Sequence, residues 1–413
     1  MSIEVLPLGA GQDVGRSCCI VRMAGRTVMF DCGAHFGFRD ARRFPEFGLL
    51  SRAGRFTEII DAVVITHFHT DHLGALPYFT EVCGYQGPIL MTYPTFAIAP
   101  MMLEDYVKVN ADRPGERLPY NEQHVRECLR RVTAVDLHQV VAVAPGLSFT
   151  FHYAGHVLGA AMVHMTAGHL TALYTGDFNS SPDRHLGPAE PLLPPGGPSG
   201  AALRRPDVLI SEATYAATLR DSKRARERDL LSAVVETVSA GGKVLIPTFA
   251  MGRAQELLML ITDCWERNGL QVPVYFSSAM ASRALVYYQL LLNWTNANVR
   301  RTIFGAAGSA VDGGGGGGGG GGQPTVDGRR RSDYRTEGTE GGGGGGGDGR
   351  SSGEEVPYDG RFKDDDDDDD DKEQEEYGSA DEYEEGSEEG KGGVSGSGGG
   401  GGADPDMKGY DKR

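Results

Sequence analysis

The sequence lacks C-x-x-C cysteine pairs, long apolar runs and histidines in its second half, and each absence limits what kind of protein it can be. Its six cysteines form no C-x-x-C pair, so we expect reduced thiols in a nuclear or cytosolic protein. No apolar run approaches the roughly 18 residues of a membrane span, and we therefore expect no membrane partner. No histidine follows His185, so imidazole chemistry must come from the first half of the chain.

Aliphatic side chains are scarce in residues 306–413, which contain glycine runs at 313–322 and 341–347 and an aspartate run at 364–371. This segment has 29 Asp and Glu against 12 Lys and Arg, whereas residues 1–305 have 28 of each. Such a segment buries too little apolar surface to offset the entropy of ordering. We predict a disordered, solvating tail; nucleic-acid mimicry and a block of the active site are its alternatives.

The chain begins with a strand-like stretch at residues 3–8. Glycines at 9, 11 and 15 follow, and then strand-like segments at 18–23 and 27–30 flank Gly25. This order favours a β-hairpin over a nucleotide-binding turn. The second strand ends at Asp31, which either caps a turn or supports metal ligands from behind.

A dense group of polar side chains follows the apolar run at 59–65, where residues 67–72 read H-F-H-T-D-H. His67 and His69 lie two apart on extended chain, so their side chains point the same way and can bind one metal. A helix that starts near Asp71 would turn Asp71 and His72 toward a neighbouring position. The alternative is a surface loop with coincidental histidines.

Two further candidates end strand-like stretches. Residues 149–153 lead into A-G-H-V-L-G-A with His156, and residues 170–175 lead into G-D-F-N with Asp177. Alone, His156 would be read as a core histidine and Asp177 as a turn residue. Together with His67 to His72 they form a series of strand-end ligands, which favours a metal centre.

These motifs resemble those of the metallo-β-lactamase fold, an α/β fold built as an αββα sandwich. L-I-S-E-A-T-Y-A at 209–216 and K-V-L-I-P-T-F-A-M-G-R-A-Q-E at 243–256 resemble its β-CASP branch of nucleic-acid-cleaving enzymes. Segments at 8–18, 42–45 and 220–229 look like the Integrator type of RNA endonuclease. The polyadenylation cleavage endonucleases are similar but match less well at 36–56 and 217–229. The resemblance covers about residues 3–304.

The resemblance implies a metallo-β-lactamase domain in residues 1–208, its N-terminal part, and a partial, inserted β-CASP domain in residues 209–305. It implies RNA as substrate, a nuclear location with the cytoplasm as a second one, and partners comprising a noncatalytic homologous subunit and other Integrator-type subunits. It also implies these roles: His67, His69 and His156 on one zinc, Asp71 and His72 on the second, Asp177 bridging both, Asp31 supporting them, and Asp71 and Glu212 as catalytic residues.

The sequence departs from the family where the resemblance stops, near Phe304. The family draws two more histidines from downstream, one to complete the second zinc site and one to act as the acid. We therefore expect this chain to bind one zinc well, to lack the sheet that closes the sandwich, and to be a weak or inactive nuclease. A defective gene prediction or truncated transcript and a genuinely short protein are the two explanations.

Basic residues in the 209–305 segment are candidates for RNA contacts. Arg220, Lys223 and Arg224 begin a predicted helix, which is alternatively a salt-bridged, solvated face. A buried strand is predicted at Val244–Ile246, followed by a helix that begins near Gly252. Arg253 at that helix start would bind phosphate or, alternatively, pair with Glu256.

Two function classes remain open. The first is a two-zinc RNA endonuclease that cuts the 3′ ends of nascent small nuclear RNAs and other transcripts, with the pre-mRNA polyadenylation cleavage endonuclease as its variant. The second is a noncatalytic subunit that uses the β-CASP fold for assembly. The segment at 209–304 disfavours a small-molecule metallohydrolase such as a thioesterase.

Overall fold

A computed structural model describes residues 2–111, 117–191 and 205–301. The acidic tail predicted at 306–413 lies outside the described residues. The strands are β1 (Glu4–Gly9), β2 (Cys18–Met23), β3 (Arg26–Phe30), β4 (Ala62–Val64), β5 (Ile89–Thr92), β6 (Val132–Val135), β7 (Val140–Ala144), β8 (Leu147–Tyr153), β9 (Ala161–Ala167), β10 (Leu170–Tyr174) and β11 (Val208–Ile210). The α-helices are α1 (Phe56–Ile59), α2 (Thr70–Leu73), α3 (Tyr93–Ala111), α4 (Glu122–Leu129), α5 (Lys223–Ser239), α6 (Arg253–Asn268) and α7 (Ala281–Leu290).

The first sheet has six strands in the order β1-β2-β3-β4-β5-β6. The first three strands are antiparallel, whereas β3, β4, β5 and β6 run parallel. The turn between β2 and β3 places Gly25 at φ 75°, in the left-handed region that glycine tolerates best. The predicted first strand and the predicted hairpin are both confirmed.

The second sheet has five strands in the order β11-β10-β9-β8-β7 and faces the first. Phe30 of the first sheet stacks on Tyr174 of the second, with ring centroids 4.8 Å apart. Side chains from both sheets, such as Val64 and Phe151, share one buried cluster. The expectation that the closing sheet is missing is therefore wrong, because strands between residues 140 and 210 in the described part of the chain form this second sheet.

The other face of the first sheet packs against helices. Its side chains Met29 and Val63 lie in one buried cluster with Leu103 of α3 and Val125 of α4. Asn121 caps α4 by accepting hydrogen bonds from the N–H groups of the first turn. One helical layer and two sheets are thus formed by residues before Ser211.

Residues 205–301 add helices and a smaller core. Ser222 caps α5 by accepting from the Ala225 N–H, and Gly252 precedes α6, as both helix predictions required. Leu231 of α5 and Leu260 of α6 pack in one small buried cluster.

The strand predicted at Val244–Ile246 does not form. No neighbouring strand pairs with it among the described residues, and Leu245 is 89% exposed. An extended segment without a partner strand leaves its backbone groups to solvent, so its apolar pattern alone was a misleading signal.

The six cysteine thiols are all free, and five of them are buried. Burial raises the pKa of Cys19 to about 12, which keeps that thiol protonated and unreactive. Across the three described ranges, no helix combines the length and apolarity needed to cross a membrane.

Candidate metal centre

Three loops at one edge of the sandwich bring the predicted ligands together. They follow β4, β8 and β10, and they present His67 to His72, His156 and Asp177 respectively. His69 is extended, with ψ 142°, and α2 begins at the next residue. The helix start predicted near Asp71 is therefore confirmed.

Three imidazole nitrogens converge on one point. The His67 Nε2 and His156 Nε2 atoms lie 3.0 and 3.1 Å from His69 Nδ1. Asp177 Oδ2 lies 3.5 Å from the His156 nitrogen and 4.0 Å from that of His67. A tetrahedral zinc with bonds of about 2.0–2.1 Å spaces its ligand atoms by about 3.3 Å. The four side chains therefore fit a metal ion.

The same three imidazoles are held neutral, as metal ligation requires. Burial and the neighbouring imidazoles put the pKa of His67 well below its usual value. Burial lowers the pKa of His156 to about 3 and also lowers the pKa of His69. Each ring thus keeps a lone pair available for a cation.

A second position lies beside the first. Asp177 Oδ1 is 3.3 Å and Asp71 Oδ2 is 3.7 Å from His72 Nε2. The two oxygens of Asp177 thus face the two groups of ligands, the geometry of a bridging carboxylate. The described residues offer three ligand side chains at this second position, one short of a tetrahedral set.

Asp31 supports the second position from behind. Its buried carboxylate lies 2.8 Å from His72 Nδ1 and accepts from the Thr66 N–H, also at 2.8 Å. Because Nδ1 faces this carboxylate, it carries the proton, and Nε2 is turned toward Asp177 and Asp71. Burial opposes a charge on His72, but the carboxylates of Asp31, Asp177 and Asp71 outweigh it and raise the His72 pKa.

The sequence reasoning missed three residues that touch this group. The Thr66 hydroxyl lies 3.0 Å from both Asp31 and His67 Nδ1, and the Tyr174 hydroxyl donates to Asp31 at 3.3 Å. Ser17 Oγ lies 3.4 Å from His72 Nε2. Thr66 and Tyr174 each lie within three residues of a predicted ligand, which was an available signal.

Glu212 follows β11, which runs parallel to β10 in the second sheet. Its N–H donates to the Thr175 hydroxyl at 3.3 Å, two residues before Asp177. Its carboxylate accepts from the Thr214 N–H at 2.9 Å. The backbone of Glu212 is therefore tied to the loop that bears Asp177.

Arg253 is exposed at the first residue of α6. Its charge contributes to lowering the pKa values of His69 and His156, after larger effects of burial and neighbouring groups. Within the described ranges no ion pair joins Arg253 to Glu256, so the alternative reading of Arg253 as the partner of Glu256 is wrong.

Glu256 instead gathers contacts from the loop after β10 and from α5. Its oxygens lie 3.0 Å from His185 Nδ1 and 3.2 Å from the Lys223 amino group, and accept from the Arg184 N–H at 2.8 Å. This cluster joins the Asp177-bearing loop to α5 and α6. Sequence reasoning missed it because Glu256 is separated from each of its partners by 33 residues or more.

The basic residues proposed for RNA differ in their surroundings. Lys223 lies 3.1 Å from Asp183 as well as close to Glu256, so its charge is already paired. The Arg220 guanidinium lies over the ring of Tyr215, 3.1 Å from its centroid. Arg224 is exposed. Their contact with RNA stays a prediction.

Comparison with known proteins agrees with the sandwich fold. Residues 20–210 match the metallo-beta-lactamase superfamily domain, and residues 254–312 match the Beta-Casp domain. The chain thus contains a metallo-β-lactamase superfamily domain and, after it, a match to the Beta-Casp domain.

Individual relatives give a more specific comparison than the domain matches. The chain is 53% identical over 303 residues to the Integrator complex subunit 11 homolog of Dictyostelium discoideum, covering 73% of the chain and 39% of the relative. It is 53% identical over 300 residues to Integrator complex subunit 11 of Gallus gallus, covering 73% and 48%. Cleavage and polyadenylation specificity factor subunit 3-II of Arabidopsis thaliana is 50% identical over 300 residues, covering 73% and 47%. The chain spans less than half of each relative's length.

Proposed function

We propose that this chain is built for metal-dependent hydrolysis of RNA phosphodiester bonds, as an endonuclease of the Integrator type. The observation that carries the proposal is the convergence of His67, His69, His156 and Asp177, with Asp71 and His72 beside them. Two relatives that share 53% and 50% of aligned residues with the chain are named Integrator complex subunit 11 and cleavage and polyadenylation specificity factor subunit 3-II. The metal is zinc, because imidazole and carboxylate ligands in a near-tetrahedral set suit it.

The residues around the ligand group have distinct tasks. Zinc held by these residues would supply Lewis-acid polarisation of the scissile phosphate and would lower the pKa of water at the site. Asp71, whose side chain is 17% exposed, orients the attacking water from the second position. Asp31 keeps the proton of His72 on Nδ1, so that Nε2 stays directed into the site.

Substrate binding rests on exposed cations of residues 205–301. Arg253 contacts a phosphate, because its guanidinium is free of ion pairs among the described residues and its charge is felt by two of the imidazoles. Arg220 and Arg224 extend this contact weakly, whereas Lys223 mainly joins α5 to Glu256. Glu212 stands where the family's acidic residue would orient the histidine that protonates the leaving oxygen, and no histidine follows His185 in this chain.

The chain alone is a slow nuclease. Its second position shares Asp177 with the first, so that among the described residues only His72 and Asp71 belong to it alone, which is a weak cage for zinc. Its substrates are the 3′ ends of nascent small nuclear RNAs and other transcripts. It works in the nucleus with a noncatalytic homologous subunit and other Integrator-type subunits.

The proposal is tested with purified chain, zinc and an end-labelled single-stranded RNA at enzyme excess. We expect slow cleavage that leaves a 3′-hydroxyl and stops when a chelator is added. Asp71→Ala should abolish it, whereas Asp207→Ala should not, because Asp207 only caps Thr171 at the far end of β10. Cleavage that survives Asp71→Ala or the chelator would contradict the proposal.

A noncatalytic subunit is the second candidate, favoured by the three-ligand second position. It predicts that the chain binds RNA or its partner subunit with normal affinity and leaves the RNA intact at any zinc concentration. The same assay, read for binding as well as for cleavage, separates the two candidates.

A further inference from the structure

A second group of metal-ligand side chains lies away from the candidate metal centre. His138, His152 and Glu190 bring one ligand atom each within 4.8 Å of one another. His138 Nε2 lies 2.8 Å from Glu190 Oε1, and His152 Nδ1 lies 3.1 Å from Glu190 Oε2. Two imidazole nitrogens thus face one carboxylate.

The backbone holds all three side chains against the same stretch of β8. His152 belongs to that strand. The His138 N–H donates to the Phe151 carbonyl at 2.8 Å, and the Glu190 N–H donates to the Tyr153 carbonyl at 2.9 Å. Tyr153 in turn donates its N–H to Glu190 Oε1 at 3.2 Å. The three donor atoms are therefore positioned before any ligand arrives.

The backbone of His138 has a positive φ angle. Its φ of 62° lies in the left-handed region, where asparagine, aspartate and histidine are enriched among the residues other than glycine. This conformation directs the imidazole back toward β8 and Glu190.

We propose that His138, His152 and Glu190 form a separate zinc site that fastens the segment after Leu186 to β8. Two imidazoles and one carboxylate are a ligand set that zinc accepts with a fourth position left for water. The ion takes the place of a proton on each facing nitrogen, because both bind the same lone pair. The simpler alternative is a charge cluster in which those protons bond to Glu190.

An ion can enter this site from solvent. The His138 side chain is 45% exposed, and Glu190 also lines an open cavity of about 660 Å³. Burial disfavours the charge on Glu190, but hydrogen bonds from His152 and His138 outweigh it and bring the Glu190 pKa to about 2. The carboxylate therefore stays ionised at neutral pH, as a ligand must.

The test titrates zinc calorimetrically into the full chain carrying His69→Ala, which weakens the candidate metal centre. We expect one remaining binding event. Adding His138→Asn, His152→Asn or Glu190→Gln should weaken this event at least about tenfold. Asparagine tolerates a left-handed φ, so His138→Asn keeps the backbone. His169→Asn, which removes an exposed histidine from the β9–β10 turn, is the matched control and should change nothing.

Circular dichroism of each variant separates loss of fold from loss of binding. His138 is the decisive position, since its exposed side chain can be replaced without disturbing a core. If His69→Ala binds no zinc, or if His138→Asn and Glu190→Gln bind it as tightly as their parent, the group is a charge cluster and the proposal is wrong.

Discussion

The sandwich up to Ile210 and the helical region from Lys223 differ in how they bury apolar side chains. Phe149 and Phe151 of β8 are 1% and 0% exposed, whereas Phe249 and Tyr275 are 77% and 79% exposed. In the sandwich every strand has a neighbour and a facing sheet. In the second region, apolar extended segments have no strand partners among the described residues. A hydrophobic pattern therefore becomes structure only where a second surface meets it.

The largest expected effect comes from one substitution made in both regions. Phe151→Ala should lower the free energy of unfolding by about 3–5 kcal/mol, because it opens a cavity between the sheets. Phe249→Ala should change it by less than about 0.5 kcal/mol, because that ring is mostly in solvent. Urea denaturation of both variants measures the difference. If Phe249→Ala lowers the free energy of unfolding as much as Phe151→Ala does, the Phe249 ring is buried in solution. The contrast drawn between the sandwich and the helical region would then be wrong.

The next effect concerns the cluster that joins the two regions. Hydrogen bonds and charge from His185 and Lys223 outweigh burial and lower the Glu256 pKa to about 2. A carboxyl whose pKa is lowered by folding stabilises the protein above its unfolded pKa of about 4.5. Glu256→Gln should therefore cost about 2–3 kcal/mol at pH 7.

The pH dependence of that cost checks its origin. The advantage of the parent chain over Glu256→Gln should shrink as the pH falls from about 4.5 toward 2, because Glu256 is then protonated. Chemical denaturation at a series of pH values follows it. Glu236→Gln, which changes an exposed residue of α5, is the control and should show neither effect. A cost that is independent of pH would assign the role of Glu256 to packing.

A smaller effect is expected at the approach of two loops in the sandwich. A Cβ at Gly33 would overlap the carbonyl group of Asp71. Gly33→Ala should cost about 1–3 kcal/mol and weaken zinc binding, because the helix that bears Asp71 and His72 must shift. Gly48→Ala meets no atom within 4 Å and should leave both unchanged. If Gly33→Ala binds zinc as tightly as the parent chain, the position of the Asp71 backbone does not matter for zinc binding.

The smallest effect separates the RNA contacts of the helical region. Arg253→Ala should reduce RNA affinity several-fold and lower the salt dependence by about one phosphate contact. Arg228→Ala should have little effect, since Arg228 pairs with Asp229 at 3.1 Å. Fluorescence anisotropy at several salt concentrations measures both. Equal losses would indicate a diffuse attraction to α5 and α6 in place of a specific contact.

The sequence predicted the sandwich more successfully than the rest. The hairpin of β2 and β3 and the ligand residues His67 to His72 combine local patterns, so they could be read from short stretches. His156 and Asp177 were found because each ends a strand beside a glycine. The prediction of a strand at Val244–Ile246 was wrong because strand formation depends on a partner strand that is distant in the sequence.

Contacts between residues far apart in the chain could not be predicted from short stretches of sequence. The contacts of Asp31 with Tyr174 and of Glu190 with His138 and His152 join residues far apart in the chain. Asp31 and Tyr174 meet because the two sheets face each other, and Glu190 meets His138 and His152 because backbone hydrogen bonds hold residues 138 and 190 against β8. Spacing marked Tyr174 as a neighbour of Asp177, but no spacing rule in the sequence could have paired it with Asp31 or paired Glu190 with the two histidines.

The central claim is that His67, His69, His156 and Asp177 hold a metal ion. Anomalous X-ray diffraction at the zinc absorption edge, from crystals of the chain grown with zinc, tests it most directly. We predict a peak about 2.0–2.2 Å from the three imidazole nitrogens and an Asp177 oxygen. A structure at saturating zinc in which those four side chains surround no anomalous peak would contradict the claim.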